Sequence, residues 1–392
     1  MTAYRQQTVR AMRRLRFPEQ LREIEKVRYR HPECLDAFLD ACETLIQRNP
    51  AQGRAVAEQG PEYLRRVFPR GEGGSLAMRT FSVLATAYIA SGDLAAAEDA
   101  CEQAGAFPGS PDEVAVLACR LAHLRCEQQR WEEAFLAANR AVRHAEQRFD
   151  ADRPQRETDR FSLAGALVTR ANVHHRACRF DAGSLREAAV DLERALTVCS
   201  RKTLRTRVAA VHNLGSVAAA SWIGGEAGIL RPSQVIELMR RLRKSLHSEK
   251  KIRHRSVVHA KTRWVMGLAL AQEAVGLTRR AENYLRGAWD DLVALESYPD
   301  AAVLALDLGW WLLQDREWAK LQALAGEVVA APWARSLPTE WCAVLELWRA
   351  GARARRFEEG VLEKVYRTVR GIRVEVPVLD SPPHRWQSPA GW

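Results

Sequence analysis

A chain of 392 residues, 47% hydrophobic and 27% charged, carries ample apolar material for a buried core. Its uninterrupted apolar runs, such as 114–119 and 301–306, fall far short of the roughly 20 residues a membrane-spanning helix requires, so no membrane partner is implied. A net charge of +11 favours acidic partners, whether nucleic acid or an acidic protein face, or else reflects an Arg-rich solvated surface.

Residues 1–33 form a basic segment with Arg5, Arg10, Arg13, Arg14, Arg16, Arg22, Arg28 and Arg30 and no acid before Glu19. They lack the apolar stretch of a secretory signal. Pro18 suits the first turn of a second helix there. Residues 34–70 read as a degenerate helical pair. Leu35, Phe38, Leu39 and Ala41 mark one apolar face, Asn49-Pro50 interrupts it, and Tyr63, Leu64 and Val67 mark another. Residues 71–75, Gly-Glu-Gly-Gly-Ser, read as a joint.

From residue 76 one pattern recurs about every 34 to 50 residues. Its clearest copy runs Phe81, Leu84, Ala85, Tyr88, Gly92, Asp93, Ala97, Ala104. As a helix–turn–helix, it sets Ala85 and Ala97 where two antiparallel helices come closest, with Tyr88 filling the wider gap. Repeat one spans 76–106. Repeat two, 112–147, uses Leu121, Ala122, Trp131, Ala134 and Ala141 in the same roles. Repeat three begins at Phe161 with Leu167, Ala171 and His174, and residues 181–185 are inserted after Phe180, so that Ala188 takes the next small position.

Repeat four carries Leu214, Gly215 and Ala218, then a turn with Gly224, Gly225, Gly228 and Pro232, and a second helix near 233–246. Repeat five uses Trp264, Leu268, Ala269, Gly276, Ala281 and Ala288. Repeat six uses Leu306, Leu308, Trp311, Trp318 and Leu324, which closes the array of six repeats over 76–338. A capping pair over 339–371 shows Trp341, Leu345, Trp348, Phe357, Val361 and Val365. The Pro-rich segment 372–392 reads as extended, with one short strand at 373–376.

The pattern Leu-Ala-x-x-Tyr-x-x-x-Gly-Asp at 84–93 resembles the tetratricopeptide repeat (TPR) family over residues 76–370. The section from Trp264 to Val329 is also similar to bacterial members that accompany regulatory modules. The resemblance implies an all-α, right-handed superhelical solenoid whose first helices line a concave groove. It also implies a non-catalytic scaffold or adaptor that holds a protein partner, a peptide or a subunit, in a bacterial complex.

By helical phase, the groove-facing residues are Arg79, Ser82, Thr86, His123, Asn172, His175, Arg176, His212, Ser216 and Arg263. Several donors along one wall suit an acidic or carboxylate-ended segment. A second candidate is the basic run of Arg240, Arg241, Arg243, Lys244, Lys250, Lys251, Arg253 and Arg255, with Glu249 the only acid among them. It would meet an acidic protein or a phosphate backbone, or else form a solvated helix face. The alternative reading is therefore an RNA- or DNA-binding accessory protein. A single-strand binder also wants interleaved aromatics; the run contains none, and Trp264 is the nearest in sequence.

Chemistry finds little support. Arg170-Ala-Asn-Val-His-His175 resembles the Arg-and-His motif of metal-independent HEPN ribonucleases, but a repeat's first helix already accounts for Ala171 and His174. Phosphate loops, His-Glu-x-x-His and nucleophile elbows are absent from the sequence. The eight cysteines (Cys34, Cys42, Cys101, Cys119, Cys126, Cys178, Cys199 and Cys342) are scattered with no Cys-x-x-Cys. That spacing fits small buried hydrophobes in a reducing cytoplasm better than zinc ligands or a disulfide framework. No cofactor or metal is expected.

Overall fold

The Asn49-Pro50, Ser110-Pro111 and Thr278-Arg279 steps each begin a helix, for one shared reason. The side chain before the helix takes up a backbone N–H that the first turn leaves without a partner. Asn49 accepts from the Gln52 N–H at 3.1 Å, Thr278 from Ala281 at 3.2 Å, and Asp93 likewise from Ala96 at 3.2 Å. Ser110 and Glu113 cap each other reciprocally.

The computed structural model of the protein describes residues 30–46, 49–71, 73–147, 149, 157–177, 182–199, 204–223, 229–248, 255–336, 339–354 and 365–366. Regular structure among them is helical throughout. They divide into two compact units, one from the described residues of Met1–Ala177 and Arg194–Thr206, the other from those of Cys178–Glu193 and Arg207–Pro377.

The first unit holds α1 (Pro32–Ile46), α2 (Pro50–Ala57), α3 (Gly60–Val67), α4 (Gly74–Ala90), α5 (Leu94–Gly105), α6 (Pro111–Glu127), α7 (Trp131–Glu146) and α8 (Glu157–Ala177). Helices α9 (Ala182–Val198) and α10 (Leu204–Ile223) run across the division. The second unit continues with α11 (Pro232–Ser248), α12 (Arg255–Ala274), α13 (Arg279–Ala294), α14 (Tyr298–Gln314), α15 (Trp318–Ala330), a 3-10 turn (Pro332–Ser336) and α16 (Thr339–Ala354).

Neighbouring helices pack in consecutive pairs: α4 with α5, α6 with α7, α12 with α13, α14 with α15. Small residues set the contact. Ala85 meets solvent nowhere, nor do Ala97 and Ala104 in the first pair, Ala122, Ala134, Ala138 and Ala141 in the second, or Ala269, Ala281 and Ala288 in the α12–α13 pair. With only methyl groups between them, backbones approach closely and dispersion contacts accumulate along the seam. Large side chains fill the space between pairs. In the second unit, Trp264, Trp289, Trp341 and Trp348 join Leu285, Leu308 and Leu324 in one core.

The sequence reading meets three differences. Residues 34–70 form three helices rather than a pair, because Pro61 in the first turn of α3 starts a new helix. Gly74, read as part of a joint, already belongs to α4. The third lies in the turns. Five of the helices end with their C-terminal carbonyls closed by the same two backbone bonds (for α4, Gly92 N–H to Ile89 and Asp93 N–H to Tyr88). The residue that turns left-handed is Gly92 after α4, but Gln129, Val275, Glu296 and Arg316 after α6, α12, α13 and α14. The Gly276 that sequence reading aligned with Gly92 sits one position past that residue. The segments 1–29 and 372–392, Gly224, Gly225 and Gly228, and the second capping helix with Phe357 and Val361 lie outside the described residues.

Val275 is a β-branched residue at φ 53° and 90% exposed, a backbone region that only glycine adopts without cost. Val275→Gly is expected to raise the unfolding free energy by roughly 0.5–1 kcal/mol, the relief of strain exceeding glycine's extra chain entropy. Gly92→Val should lower it by a comparable amount. Urea denaturation followed by circular dichroism measures both.

Candidate functional site

In the first unit, α1, α4, α6 and α8 pack in succession, so residues far apart in sequence share one face. The Arg79 guanidinium on α4 pairs with Asp36 on α1, with Asp40 at 2.6 Å and with Glu43 at 3.7 Å. On α6, Arg120 pairs with the same Glu43 at 2.8 Å and donates to the Ser82 hydroxyl. Ser82 is buried. Thr86 turns its hydroxyl back onto the Ser82 carbonyl at 3.1 Å.

Two turns further along α6, the Glu127 carboxylate lies 3.3 Å from His123 Nε2 and 2.8 Å from Arg176 Nη1 on α8. Burial alone would raise its pKa. The nearby His123 ring and the charge of the Arg176 guanidinium outweigh that and hold it down at about 2. Asn172 and His175 stand half-buried on the same helix. The structure thus brings Arg79, Ser82 and Thr86 together on α4, and joins His123 to Arg176. The guanidinium groups expected as donors to a ligand are already paired with carboxylates of the chain itself. The face is a row of alternating charges.

The remaining groove residues lie in the second unit. Ser216 on α10 bonds back to the His212 carbonyl at 3.1 Å. Arg263 on α12 reaches Asp291 on α13 at 2.6 Å. It does so by lying across Gly287, where any side chain would collide with its guanidinium.

The basic run is described only in part. Lys250, Lys251 and Arg253 lie outside the described residues, as does the side chain of Arg255. Helix α11 buries Val235, Ile236, Met239, Leu242 and Leu246 and exposes Arg240, Arg241, Arg243 and Lys244. Glu237 pairs with Arg241 at 2.8 Å and more distantly with Arg240 at 3.8 Å. Arg243 donates to the Tyr284 hydroxyl of α13 at 3.1 Å.

Sequence reasoning missed two groups. Arg120 was invisible because nothing local pairs it; its partners come from helices 38 and 77 residues earlier. Asp307 in α14 sits fully buried in an apolar core. Its carboxylate accepts from the Trp264 indole at 2.9 Å and from the Tyr366 hydroxyl at 2.8 Å. Tyr366 stacks on Trp310 with ring centres 4.9 Å apart. An acid in the middle of Ala301–Leu313 was a readable signal of a buried polar contact, although its partners were not. Among the described residues no cluster of His, Cys, Asp and Glu is placed to hold a metal ion, and no helix is long and apolar enough to cross a membrane.

The Glu127 ion pairs tie stability to pH. The folded-state pKa lies below the ordinary 4.5, so their contribution is complete above that value and is lost as pH falls towards 2. Glu127→Gln should cost roughly 2 kcal/mol at pH 7, with the gap to the parent protein closing through this window in urea denaturation at pH 7, 4 and 2.5. In the second unit, Tyr366→Phe keeps the ring stack but removes a donor from a buried carboxylate, and should cost roughly 1–3 kcal/mol, read by the same method with tryptophan fluorescence.

In comparisons with known proteins, no family model and no curated protein matches this sequence.

Proposed function

We propose that the protein is a non-catalytic scaffold of the tetratricopeptide type. Its helix pairs continue as a right-handed superhelical solenoid, and its first helices hold a segment of a protein partner in a bacterial, cytoplasmic complex. One observation carries this reading. Helices α1, α4, α6 and α8 lie side by side and gather polar side chains from about 140 residues of chain onto one face. Their ion pairs hold those side chains in place before any ligand arrives, which lowers the entropy lost on binding. An incoming acidic segment would have to displace Asp36 and Asp40 from Arg79. The face therefore suits a segment carrying both charge signs, which can extend the row of alternating charges.

The four exposed bases of α11 favour a second reading, an accessory protein that binds RNA or DNA. The two readings separate experimentally. The full chain and a Thr86→Trp/Asn172→Trp variant, which places bulk on the first-helix face, would be affinity-purified from the native host with nuclease and a salt series. The scaffold reading expects a stoichiometric protein that survives both treatments with the parent chain and is lost with the variant, while circular dichroism stays unchanged. Equal retention by both chains, or recovery of nucleic acid alone, would overturn it.

A further inference from the structure

The aromatic side chain missing from the basic run in sequence is supplied by folding. Tyr284 lies 41 residues beyond Arg243, yet its hydroxyl accepts a hydrogen bond from that guanidinium at 3.1 Å. The bond links a side chain of α11 to one of α13, the two helices that pack on either side of α12. One turn earlier on α13 comes Arg280, exposed, with Arg279 beside it. One turn earlier on α11 comes Arg240, and Lys244 follows Arg243. Residues three or four apart are neighbours on a helix surface, so cations flank the Tyr284 ring along both helices.

Among the described residues the acids of this band are fewer than its cations. Glu237 pairs with Arg241 and, more distantly, with Arg240, and Glu282 pairs with Lys320 on α15. Helix stability does not explain the cations of α13. Arg279 and Arg280 occupy its first turn, where the helix dipole disfavours positive charge. A partly exposed tyrosine ring held by an arginine and bordered by further cations has two complementary parts: a flat apolar face and a set of phosphate-sized charges.

From this arrangement we infer that the α11–α13 face binds single-stranded nucleic acid, with Arg240, Arg243, Lys244 and Arg280 along the phosphates and one base stacked on Tyr284. The inference rests on the second reading above and leaves the scaffold reading untouched, since the two faces share no residue. A duplex keeps its bases stacked on one another and can use only the charges, whereas a single strand can use charges and ring together. An acidic protein would likewise use the charges and ignore the ring.

The test is fluorescence anisotropy of the full chain with a labelled 20-nucleotide oligo(dT), a duplex of equal length, and unlabelled polyglutamate as competitor, over a salt series. The single strand should bind at least about fivefold more tightly than the duplex. Tyr284→Leu should weaken it by about five- to a hundredfold without changing the salt slope, and Tyr284→Phe should retain most of the affinity. Arg240→Gln/Arg243→Gln/Lys244→Gln should flatten the salt slope by about two units. Any of three results would overturn the inference: no loss with Tyr284→Leu, equal binding of duplex and single strand, or polyglutamate competing as well as oligo(dT) at equal charge. The last would mark an acidic-protein surface. The triple variant keeps Tyr284 and changes exposed side chains only, so it remains a test if Tyr284→Leu disturbs folding. The Thr86→Trp/Asn172→Trp variant should bind oligo(dT) as the parent does, which distinguishes failure here from failure of the scaffold reading.

Discussion

The close approach of paired helices through alanine is the constraint on which the remaining structure depends. Ala85 and Ala97 are fully buried in the packed α4–α5 pair, as are Ala269 and Ala281 in the α12–α13 pair, and side chains this small let two backbones come close. The apolar area of each such contact is small. Its effect is geometric, because a short separation fixes the angle and register of the pair and so the direction in which the larger side chains of the outer faces project. Extra methylenes in such a seam would force the helices apart, at a cost of about 1–3 kcal/mol each in well-packed interiors. The tryptophans of the second unit are the largest side chains of its core, but they pack where the alanine seams leave room for them.

Polar contacts then determine how one pair meets the next. Hydrophobic surfaces tolerate sliding, whereas a guanidinium between two carboxylates does not. Arg79 bridges α4 to α1, Arg120 ties α6 to both, and Glu127 joins α6 to α8. Arg54 does similar work at the other end of α4. It pairs with Asp93 at 3.0 Å and lies over the Tyr88 ring, so the spacer residue of the first repeat also receives a charge from α2. In the second unit the same task falls to the buried Lys261 of α12 with Asp300 of α14, while Arg263 with Asp291 acts within the α12–α13 pair. These half-buried pairs add little net energy compared with apolar packing, since desolvation offsets most of their attraction. Their contribution is specificity of register.

Helix pairs were legible in the sequence because a local code writes them. The spacing of small residues, the Pro and Asn or Ser at helix starts, and the length of the apolar stripe all act within one or two turns. The later boundaries followed as well, with the second helix of repeat four expected near 233–246 and found at Pro232–Ser248. The turns were less legible. Among the five helix ends closed by the same two backbone bonds, glycine marks the left-handed position after α4, while Gln129, Val275, Glu296 and Arg316 adopt it in the others because the carbonyls at the helix end are satisfied by backbone alone. Groove-facing positions could be assigned by phase, but phase does not report what a side chain meets. Arg79 and Arg176 each meet acids from other helices, which no helical phase could report. Tyr284 was hidden for the same reason, since its neighbour on α11 is set by tertiary packing.

The placement of Tyr366 makes the interior of the second unit depend on a residue 59 positions beyond Asp307. A proteolytic cut between α16 and Tyr366 would keep the alanine seams of that unit but leave the Asp307 carboxylate short of a donor, and it would uncover Trp310 and Trp348, which pack against the Tyr366 ring. A cut chain would thus carry both a poorly compensated acid and a sticky aromatic surface, features by which cellular quality control recognises damaged proteins.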